Sequence, residues 1–280
     1  MTMSVNTNLF SLNAQRNLSK SQSSLAMSMQ RLSSGLRINS AADDAAGLAI
    51  SQRMQAQVNG MNVAVRNAND GISLAQTADG ALASVGDSLQ RMRELAVQAR
   101  NSTNTGSDKD SLNLEFKQLS AEIGRVLGGT TFNGKAILGS NAGTLTFQVG
   151  ANVTSFDSIS IVSKNLTGAA TFTSVTGAAI GSTSTASSLA TVVTNIDKAI
   201  NYVNSQRATF GASENRFSAV VSNLQSSVEN QSAAKSRITD ADFATETANM
   251  SRAQILQQAG TAMVAQANQL PQQVLQLLQG

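Results

Sequence analysis

The chain has 280 residues, a formal net charge of +3 and only 13% charged residues. It contains no cysteine, histidine or tryptophan. Thiol nucleophiles, disulfides, Cys/His zinc sites and Ser-His-Asp triads are therefore excluded, and we expect no metal and no cofactor. The charge is too small, and the lysines and arginines are too scattered, to indicate nucleic-acid binding. This length allows one or two domains with a sizeable core.

Targeting signals are not visible in the sequence. The N-terminal run MTMSVNTNLFSLNAQRNL lacks the basic leader and the apolar stretch of a secretory signal peptide. No apolar run of about 18 residues occurs, so we expect no membrane insertion. Composition alone favours a cytosolic protein.

Residues 1–42 carry basic side chains and no acidic one. Their apolar residues recur at helical spacing and predict a stripe formed by Leu18, Leu25, Met29, Leu32 and Leu36. The opposite end, residues 239–280, contains the charged residues Asp240, Asp242, Glu246 and Arg252. These charges are compatible with pairing of the two termini. Exposed ion pairs contribute only about 0–1 kcal/mol each, so two separate solvated faces explain the charges equally well.

A long helix is predicted after Ser40–Asp44, a segment whose acidic residues suit a first helical turn. Its apolar stripe comprises Met54, Val58, Met61, Val65, Ala68, Ile72, Ala75, Leu82, Val85, Leu89, Met92, Ala96 and Ala99, with Asp79 at one stripe position. Steps of four and three predict one helix of roughly 50 residues packed along its length against other helices. Its glycines, Gly60, Gly71, Gly80 and Gly86, cost about 1 kcal/mol each relative to alanine. We expect close approach of a neighbouring backbone there, with simple tolerance as the alternative.

A turn at residues 101–108 separates this helix from a second one, whose stripe is Leu112, Phe116, Leu119, Ile123 and Val126. Gly128-Gly129 ends the second helix, and Asn133-Gly134 is typical of a hairpin turn. Alternating residues predict strands at 144–149 and 158–162. The surrounding segment is rich in Ser, Thr, Ala and Gly, and predicts a small β-rich insert with little core of its own.

The third helix has the regular four-three spacing needed to pair with the first long helix. Its stripe is Leu189, Val193, Ile196, Ile200, Val203, Arg207, Phe210, Glu214, Phe217, Val221, Leu224 and Val228. Arg207 and Glu214 are polar residues at stripe positions one heptad apart. Either they find polar partners and fix the register, or they extend outward to solvent.

The C-terminal stretch after Arg252 has no charged residue. Its apolar residues, Ile255, Ala259, Met263, Ala267, Leu270, Val274 and Leu277, form one helical stripe among many glutamines. Burial of this stripe gives roughly 10–20 kcal/mol, whereas ordering the backbone costs roughly 30–55 kcal/mol, which helix hydrogen bonds offset only in part. We therefore expect the tail to become ordered when copies of the chain pack together. Pro271 either kinks or ends the helix.

These elements predict a mainly α fold, an elongated antiparallel coiled-coil rod with a small β-hairpin insert. Paired N- and C-terminal helices are one of the two alternatives that the charges leave open. An enzyme is not favoured. Asp43 and Asp44 are adjacent on a helix start and point in different directions, so they are a poor general acid/base pair. No histidine is available for an HExxH motif, and the glycines match no phosphate-binding loop.

Five multi-residue motifs resemble the bacterial flagellins. In the N-terminal part they are LSSGLRINSAADDAAGLAI at 32–50, RNANDGISLAQ at 66–76 and LQRMRELAVQ at 89–98. In the C-terminal part they are SRITDADFA at 236–244 and AQANQLPQQVL at 265–275. The resemblance covers roughly residues 1–135 and 190–280.

The resemblance implies three regions in an assembled filament. Residues 1–42 and 239–280 would pair as the inner wall of a tube. Residues 43–131 and 187–238 would form the outer tube, and residues 132–186 would face solvent. The residues expected to make filament contacts are Leu25, Met29, Leu32, Leu36, Ile255, Ala259, Met263, Leu270, Val274 and Leu277.

The resemblance also implies a location and a set of partners. Flagellins are exported without a cleaved signal peptide through the hollow flagellum, so the expected location becomes extracellular, in the filament. The implied partners are other copies of the chain, the flagellin export chaperone on the C-terminal tail, the hook-associated and filament-cap proteins, and the Toll-like receptor for flagellin in a host. A hook-associated junction protein with similar ends is the alternative function.

Receptor recognition is assigned by the resemblance to Gln90, Arg91, Leu95 and Glu115. The motif at 90–98 is intact, and Glu115 lies at the expected spacing before Ile123. The alternative is that these are ordinary helix-surface residues that serve subunit packing.

Overall fold

The computed structural model describes residues 7–279, and of residues 270–279 it describes the helical backbone alone. Within this range the helices are α1 (Leu9–Ser34), α2 (Ala45–Ala99), α3 (Gly106–Gly129), α4 (Ala170–Thr176), α5 (Ala186–Thr239) and α6 (Phe243–Gln279). The strands are β1 (Thr131–Phe132), β2 (Lys135–Ala136), β3 (Thr144–Gln148) and β4 (Ser158–Val162). The chain divides into two compact units, which are Met1–Ala56 with Asn230–Gly280, and Gln57–Glu229. We call them the terminal unit and the central unit.

The terminal unit contains the predicted pair of N- and C-terminal helices. Helix α1 begins after Asn8, whose side chain accepts the Ser11 N–H and so caps the helix. The same Asn8 amide donates to the Ala267 carbonyl of α6 over 2.7 Å, and the Ser11 hydroxyl donates to Asn268 over 2.7 Å. At its other end α1 stops at Gly35, which has a φ of +71° and provides the left-handed cap. The two helices are therefore antiparallel.

Small residues form the seam between α1 and α6. On α1 the buried and half-buried positions follow steps of three and four, namely Ser11, Ala14, Leu18, Ser21, Leu25, Ser28 and Leu32. On α6 they are Glu246, Asn249 and Met250 near its start, and Ala253, Gln257, Gly260, Val264 and Ala267 further along. A Cβ added to Gly260 would lie 3.2 Å from Leu18 Cδ1, so the backbones approach closely. The predicted α1 stripe is confirmed except at Met29, which lies outside the seam and is exposed.

Most described residues of the predicted C-terminal stripe do not pack on α1 within one chain, and their expected packing between copies stays a prediction. Ala267 belongs to the seam, but Ile255 and Met263 are 65% and 63% exposed, and Ala259 is exposed as well. Sequence spacing alone favoured the larger side chains. The structure instead buries the small ones, because they allow close helix approach. Leu270, Val274 and Leu277 lie outside the residues whose side chains are described. The helical backbone continues through Pro271 to Gln279, so the proline does not end α6.

Backbone hydrogen bonds close the junction between α1, α5 and α6. Leu36 pairs with Asp240 as an antiparallel bridge, and the Arg37 N–H donates to the Thr239 carbonyl over 2.7 Å. The predicted helix start is confirmed, because Asp44 accepts the Gly47 N–H at 2.9 Å at the beginning of α2. Asp43 instead closes the preceding turn. Hydrogen bonds from the Ser40 and Asn39 backbone lower the pKa of its carboxyl.

In the central unit α2 and α5 pair antiparallel along the two predicted stripes. Contacts such as Arg93 with Asp197 and Gly71 with Phe217 show that residue numbers on α5 fall as those on α2 rise. Most stripe residues of both helices are buried in one core cluster, while Met54, Val65, Ile72, Val193, Ile200, Val221 and Val228 are half-buried. Sequence analysis missed Ala64, Leu74, Ala78 and Leu95. They are buried because α2 contacts more than one partner and so hides a wider face.

Arg207 and Glu214 of α5 both have polar partners on α2, as the first of the two alternatives predicts. Arg207 donates to both carboxylate oxygens of Asp79, over 2.8 Å and 3.2 Å. Glu214 accepts a 2.7 Å hydrogen bond from Gln76. A polar residue at a stripe position of one helix thus faces a polar residue of the other, which penalises a shifted register.

The glycines of α2 divide into two kinds. A Cβ at Gly71 would lie 2.8 Å from the Phe217 ring, and one at Gly60 would lie 2.9 Å from the Ala151 Cβ. At Gly80 no atom lies within 4 Å of the added Cβ, and at Gly86 the nearest is at an ordinary 3.9 Å. Close backbone approach is therefore confirmed for Gly60, where the added Cβ would also lie 3.2 Å from the Ala151 Cα. At Gly71 the close neighbour is a side chain, the Phe217 ring, and tolerance explains Gly80 and Gly86.

We expect opposite effects from the same substitution at Gly80 and Gly71. Gly80→Ala should raise the free energy of unfolding by about 1 kcal/mol, because alanine is the better helix former and the site is open. Gly71→Ala should lower it by about 1–3 kcal/mol, because the methyl group displaces Phe217. Urea unfolding followed by circular dichroism measures both. Equal effects of the two substitutions would contradict the packing at Gly71.

The segment after α3 is only partly β-structure. The Thr105–Asp108 capping box starts α3, which ends at Gly129 as predicted. Asn133 and Gly134, with φ values of +49° and +77°, form the turn of the β1–β2 hairpin. Strands β3 and β4 pair antiparallel, also as predicted. Helix α4 was not predicted.

The buried residues of this insert join the core of the helices. Those of and around α4 are Phe172, Val175 and Ile180, and all three belong to the central core cluster. Phe147 of β3 meets Phe217 of α5 edge to face, with ring centroids 5.4 Å apart. The insert therefore lacks an independent core, as expected, and instead packs directly on the helices.

Candidate assembly and recognition surfaces

The terminal unit exposes an unusual number of large apolar side chains. Those on α1 are Leu9, Phe10, Leu12, Met27 and Met29, and those on α6 are Phe243, Ile255, Leu256 and Met263. Each is about half exposed or more. Single exposed apolar residues are common on proteins, but a concentration on one helix pair marks an interaction surface. These side chains lie outside the seam of the pair, so they are available to other molecules.

The predicted assembly residues fall into three groups. Leu25, Leu32 and Leu36 are half-buried within the terminal unit. Met29, Ile255, Ala259 and Met263 are exposed. Leu270, Val274 and Leu277 lie outside the described side chains. Sequence analysis missed the exposed residues Leu9, Phe10, Leu12, Met27 and Leu256, although the run Leu9-Phe10-Ser11-Leu12 carries a visible apolar signal.

An apolar groove runs between α1 and α6 on this surface. It has a volume of about 420 Å³, and its apolar lining includes Phe10, Leu18, Leu256 and Met263. A second groove of about 350 Å³ shares Ser21 and Leu256 with the first, so the two adjoin. We call these two adjoining grooves together the seam groove.

The second half of the seam groove is charged. Arg31 donates to Glu246 over 3.2 Å, and the Glu246 side chain is only 8% exposed. Asn249 also donates to Glu246, at 3.0 Å, so the carboxylate is well satisfied. Lys20 and Arg252 line the same half. This pair is the one direct ionic link between α1 and α6 among the described residues, and it confirms that opposite charges of the two ends meet.

The candidate receptor residues lie on the central unit, where α2 meets α3. Arg91 donates through Nε to Glu115 over 2.8 Å and through a terminal nitrogen to Glu94 over 2.9 Å. The hydrogen bond to Glu115, followed by that to Glu94, raises the pKa of the Arg91 guanidinium, which stays charged. Gln90 is exposed beside it. Arg91 is about half exposed and is held in a fixed position by two carboxylates.

Leu95 differs from the other three predicted residues. Its side chain is fully buried in the central core cluster, so it supports this surface from below and is not part of it. Large exposed apolar residues in the neighbouring stretches of the same helices are Val97 on α2 and Leu114 on α3. Leu114 immediately precedes Glu115 and was missed because it lies off the core stripe. The exposed candidate surface therefore consists of Gln90, Arg91, Glu94, Val97, Leu114 and Glu115.

None of the described helices combines the length and hydropathy required to cross a bilayer. Among the described residues, acidic side chains do not cluster in groups of three or more that could hold a metal ion.

Comparison with known proteins identifies the family. The family model "Bacterial flagellin N-terminal helical region" matches residues 5–142, and "Bacterial flagellin C-terminal helical region" matches residues 193–278. Flagellin of Halalkalibacterium halodurans is 45% identical over 276 residues, which cover 99% of this chain and 100% of that protein. Flagellin of Bacillus subtilis is 42% identical over 303 residues, with 99% and 100% coverage.

A solved structure gives the same result. The crystal structure of Bacillus cereus flagellin aligns with a TM-score of 0.50 and 34% identity, and the alignment covers 61% of this chain and 94% of that one. The family models together span both halves of the sequence and match the two ends, where the helices of the terminal unit lie. The chain therefore belongs to the bacterial flagellins, the structural subunits that self-assemble into the extracellular flagellar filament used for swimming.

Proposed function

We propose that copies of this chain contact one another through the exposed apolar side chains of the terminal unit, which form the inner wall of the filament. The observation that supports the proposal is the exposure of Ile255, Met263 and Met29, which lie outside the seam of the helix pair. Burying one such side chain contributes about 1.5–3 kcal/mol. Several together would supply the free energy of association. A charge placed at Ile255, followed by an assembly assay, tests this proposal.

The seam groove indicates how one copy of the chain contacts the next. It offers a concave surface lined by Phe10, Leu18 and Leu256. A groove on one copy that receives a convex apolar surface of another makes a heterologous contact. Heterologous contacts that do not close into a ring generate helical filaments. An open helical polymer is therefore the natural product of this surface.

The three-region organisation inferred from the sequence is part of the same proposal. Residues 1–42 and 239–280 would form the inner wall, residues 43–131 and 187–238 the outer tube, and residues 132–186 the outward-facing insert. Both apolar helices of the inner wall belong to one compact unit, which supports their common placement.

The partners other than the chain itself are also proposals. The apolar face of α6 near Ile255 and Met263 would bind the export chaperone before assembly, because binding would shield its exposed apolar side chains from water and from other copies in the cytosol. The filament-cap and hook-associated proteins would contact the same terminal unit. Export would proceed without a cleaved signal peptide, and the coupling of tail order to assembly stays a prediction.

We further propose that the surface around Arg91 is recognised by the host Toll-like receptor for flagellin. Arg91 is fixed by Glu94 and Glu115, and Leu114 provides an adjoining exposed apolar side chain. A positioned arginine beside apolar residues is typical of residues that contribute most to binding. Gln90 and Glu115 complete the recognised surface.

Arg91→Ala is expected to lower receptor activation by soluble monomer at least about fivefold, since truncating an anchoring arginine costs more than about 1 kcal/mol of binding. Arg125→Ala is the matched control, because Arg125 is also exposed on this unit and pairs only with Glu122 of its own helix turn among the described residues. A reporter-cell dose response measures both variants. Unchanged activation by Arg91→Ala, or equal loss in the control, would contradict the assignment.

A further inference from the structure

The chain contains the dipeptide Asn-Gly twice, at Asn59-Gly60 and at Asn133-Gly134. In this dipeptide the glycine backbone nitrogen can attack the asparagine side-chain carbonyl carbon. A C–N bond forms, ammonia leaves with the amide nitrogen, and a five-membered succinimide results. Water then opens the ring to aspartate or to isoaspartate. The reaction needs only water, and glycine favours it because no Cβ blocks the approach.

The two dipeptides lie in very different surroundings. Asn133 and Gly134 are the exposed turn of the β1–β2 hairpin, which has two residue pairs, Thr131 with Ala136 and Phe132 with Lys135. Around Gly134 no heavy atom lies within 4 Å of an added Cβ. Ring closure requires the backbone to rotate out of the turn. Such a short ladder opens at low cost.

Asn59-Gly60 is held by the helix. It lies well inside the 55-residue α2, where each backbone N–H donates within the helix. Gly60 also packs against Ala151, with an added Cβ only 2.9 Å from the Ala151 Cβ. Moving the Gly60 nitrogen toward the Asn59 side chain would break both the helix and this contact. The fold therefore protects one dipeptide and leaves the other open.

We propose that Asn133 is a site of spontaneous conversion to isoaspartate and aspartate in the folded chain, and that Asn59 is not. The conversion has a structural consequence. Isoaspartate adds one carbon to the backbone within a two-residue turn. This shifts the hairpin next to Ile137 and Leu138, which are fully buried. The Ile137 N–H donates to the Thr130 carbonyl at 3.1 Å, so the change is transmitted to the end of α3.

Incubation of the purified full-length chain at mildly alkaline pH tests the proposal. Peptide mapping by mass spectrometry measures the rate of conversion at each of the two asparagines. The same chain unfolded in urea gives the rates without protection by the fold. We expect Asn133 in the folded chain to react within about tenfold of its rate in urea, and Asn59 to be slowed at least about a hundredfold. Equal protection of the two sites would overturn the proposal, as would faster conversion at Asn59.

A second measurement distinguishes the effect of the new negative charge at position 133 from the effect of the longer backbone. Isoaspartyl methyltransferase accepts isoaspartate and not aspartate, so methyl incorporation reports the rearranged product. The variant Asn133→Asp carries the same charge with a normal backbone, and aspartate tolerates the left-handed turn. We expect aged protein to melt below this variant. Identical melting of the methyl-accepting fraction and of Asn133→Asp would contradict the predicted shift of the hairpin.

Discussion

Replacing Ile255 by glutamate is expected to weaken filament growth strongly while leaving the isolated chain folded. Ile255 is 65% exposed and lies outside the α1–α6 seam, so the charge stays in solvent in the monomer. Assembly would bury it among apolar side chains. The change removes about 1.5–3 kcal/mol of burial and adds the cost of desolvating a carboxylate. We expect the critical concentration for polymerisation to rise at least about tenfold, because each 1.4 kcal/mol is a factor of ten.

Thr173→Glu provides the matched control for this experiment. Thr173 is exposed on α4, in the insert proposed to face solvent, and the substitution adds the same charge. Salt-induced assembly followed by negative-stain electron microscopy compares the two variants, and circular dichroism verifies that both remain helical. Normal tubes from Ile255→Glu would show that this face of α6 is not an assembly contact.

Phe217→Ala is expected to cause the largest loss of stability among single substitutions in the central unit. The Phe217 ring is fully buried, lies against Gly71 of α2 and meets Phe147 of β3 edge to face. Its removal leaves a cavity where two helices and a hairpin meet. Substitutions of this kind cost about 3–5 kcal/mol. Urea unfolding should show a lower midpoint, and the β3–β4 hairpin should become more sensitive to proteolysis.

Phe156→Ala tests whether loss of any phenylalanine in this region has the same effect. Phe156 is 94% exposed at the end of the β3–β4 hairpin, so the substitution removes a similar side chain without opening a cavity. Its free energy of unfolding should stay within about 0.5 kcal/mol of the parent chain. A comparable loss in both variants would mean that Phe217 is not the anchor of the hairpin.

The long helices could be predicted from the sequence because their stripes repeat over many turns. A single misplaced residue in α2 or α5 does not hide a pattern of this length. Even the polar interruptions were informative, because Arg207 and Asp79 occupy stripe positions on the two helices and face each other in the structure. The turn at Asn133-Gly134 was also predictable, since its dipeptide has a specific backbone requirement.

The face of α6 that packs on α1 could not be found in the same way. Both the small residues, such as Ala253 and Gly260, and the larger ones, such as Ile255 and Met263, recur at helical spacing. The size of the side chains favoured the face with Ile255 and Met263 as the one that packs on α1. The structure places the face with Ala253 and Gly260 there, because its small residues allow the two helices to approach closely. Helix α4 was missed because its residues are mostly Thr, Ser and Ala, and its burial depends on contacts with α3 and α5 that are distant in sequence.

The candidate recognition surface was predictable only in part. Gln90, Arg91 and Glu115 came from motif resemblance, and the structure brings Arg91 and Glu115 together across two helices. Resemblance did not distinguish an exposed residue from a buried one, so Leu95 was grouped with them. Which side chains of α2 are buried depends on its contacts with both α3 and α5. The spacing of a single apolar stripe in the sequence does not reveal those contacts.

Oxidation of the native methionines tests most directly whether assembly covers the terminal unit. Met27, Met29 and Met263 are 48–63% exposed, whereas Met92 in the central unit is fully buried. Brief peroxide treatment of monomer and filament, followed by mass spectrometry, compares all four sites. We predict that Met27, Met29 and Met263 oxidise rapidly in the monomer and are protected at least about tenfold in the filament, while Met92 reacts slowly in both. Equal oxidation of the three exposed methionines in monomer and filament would contradict the proposed inner wall.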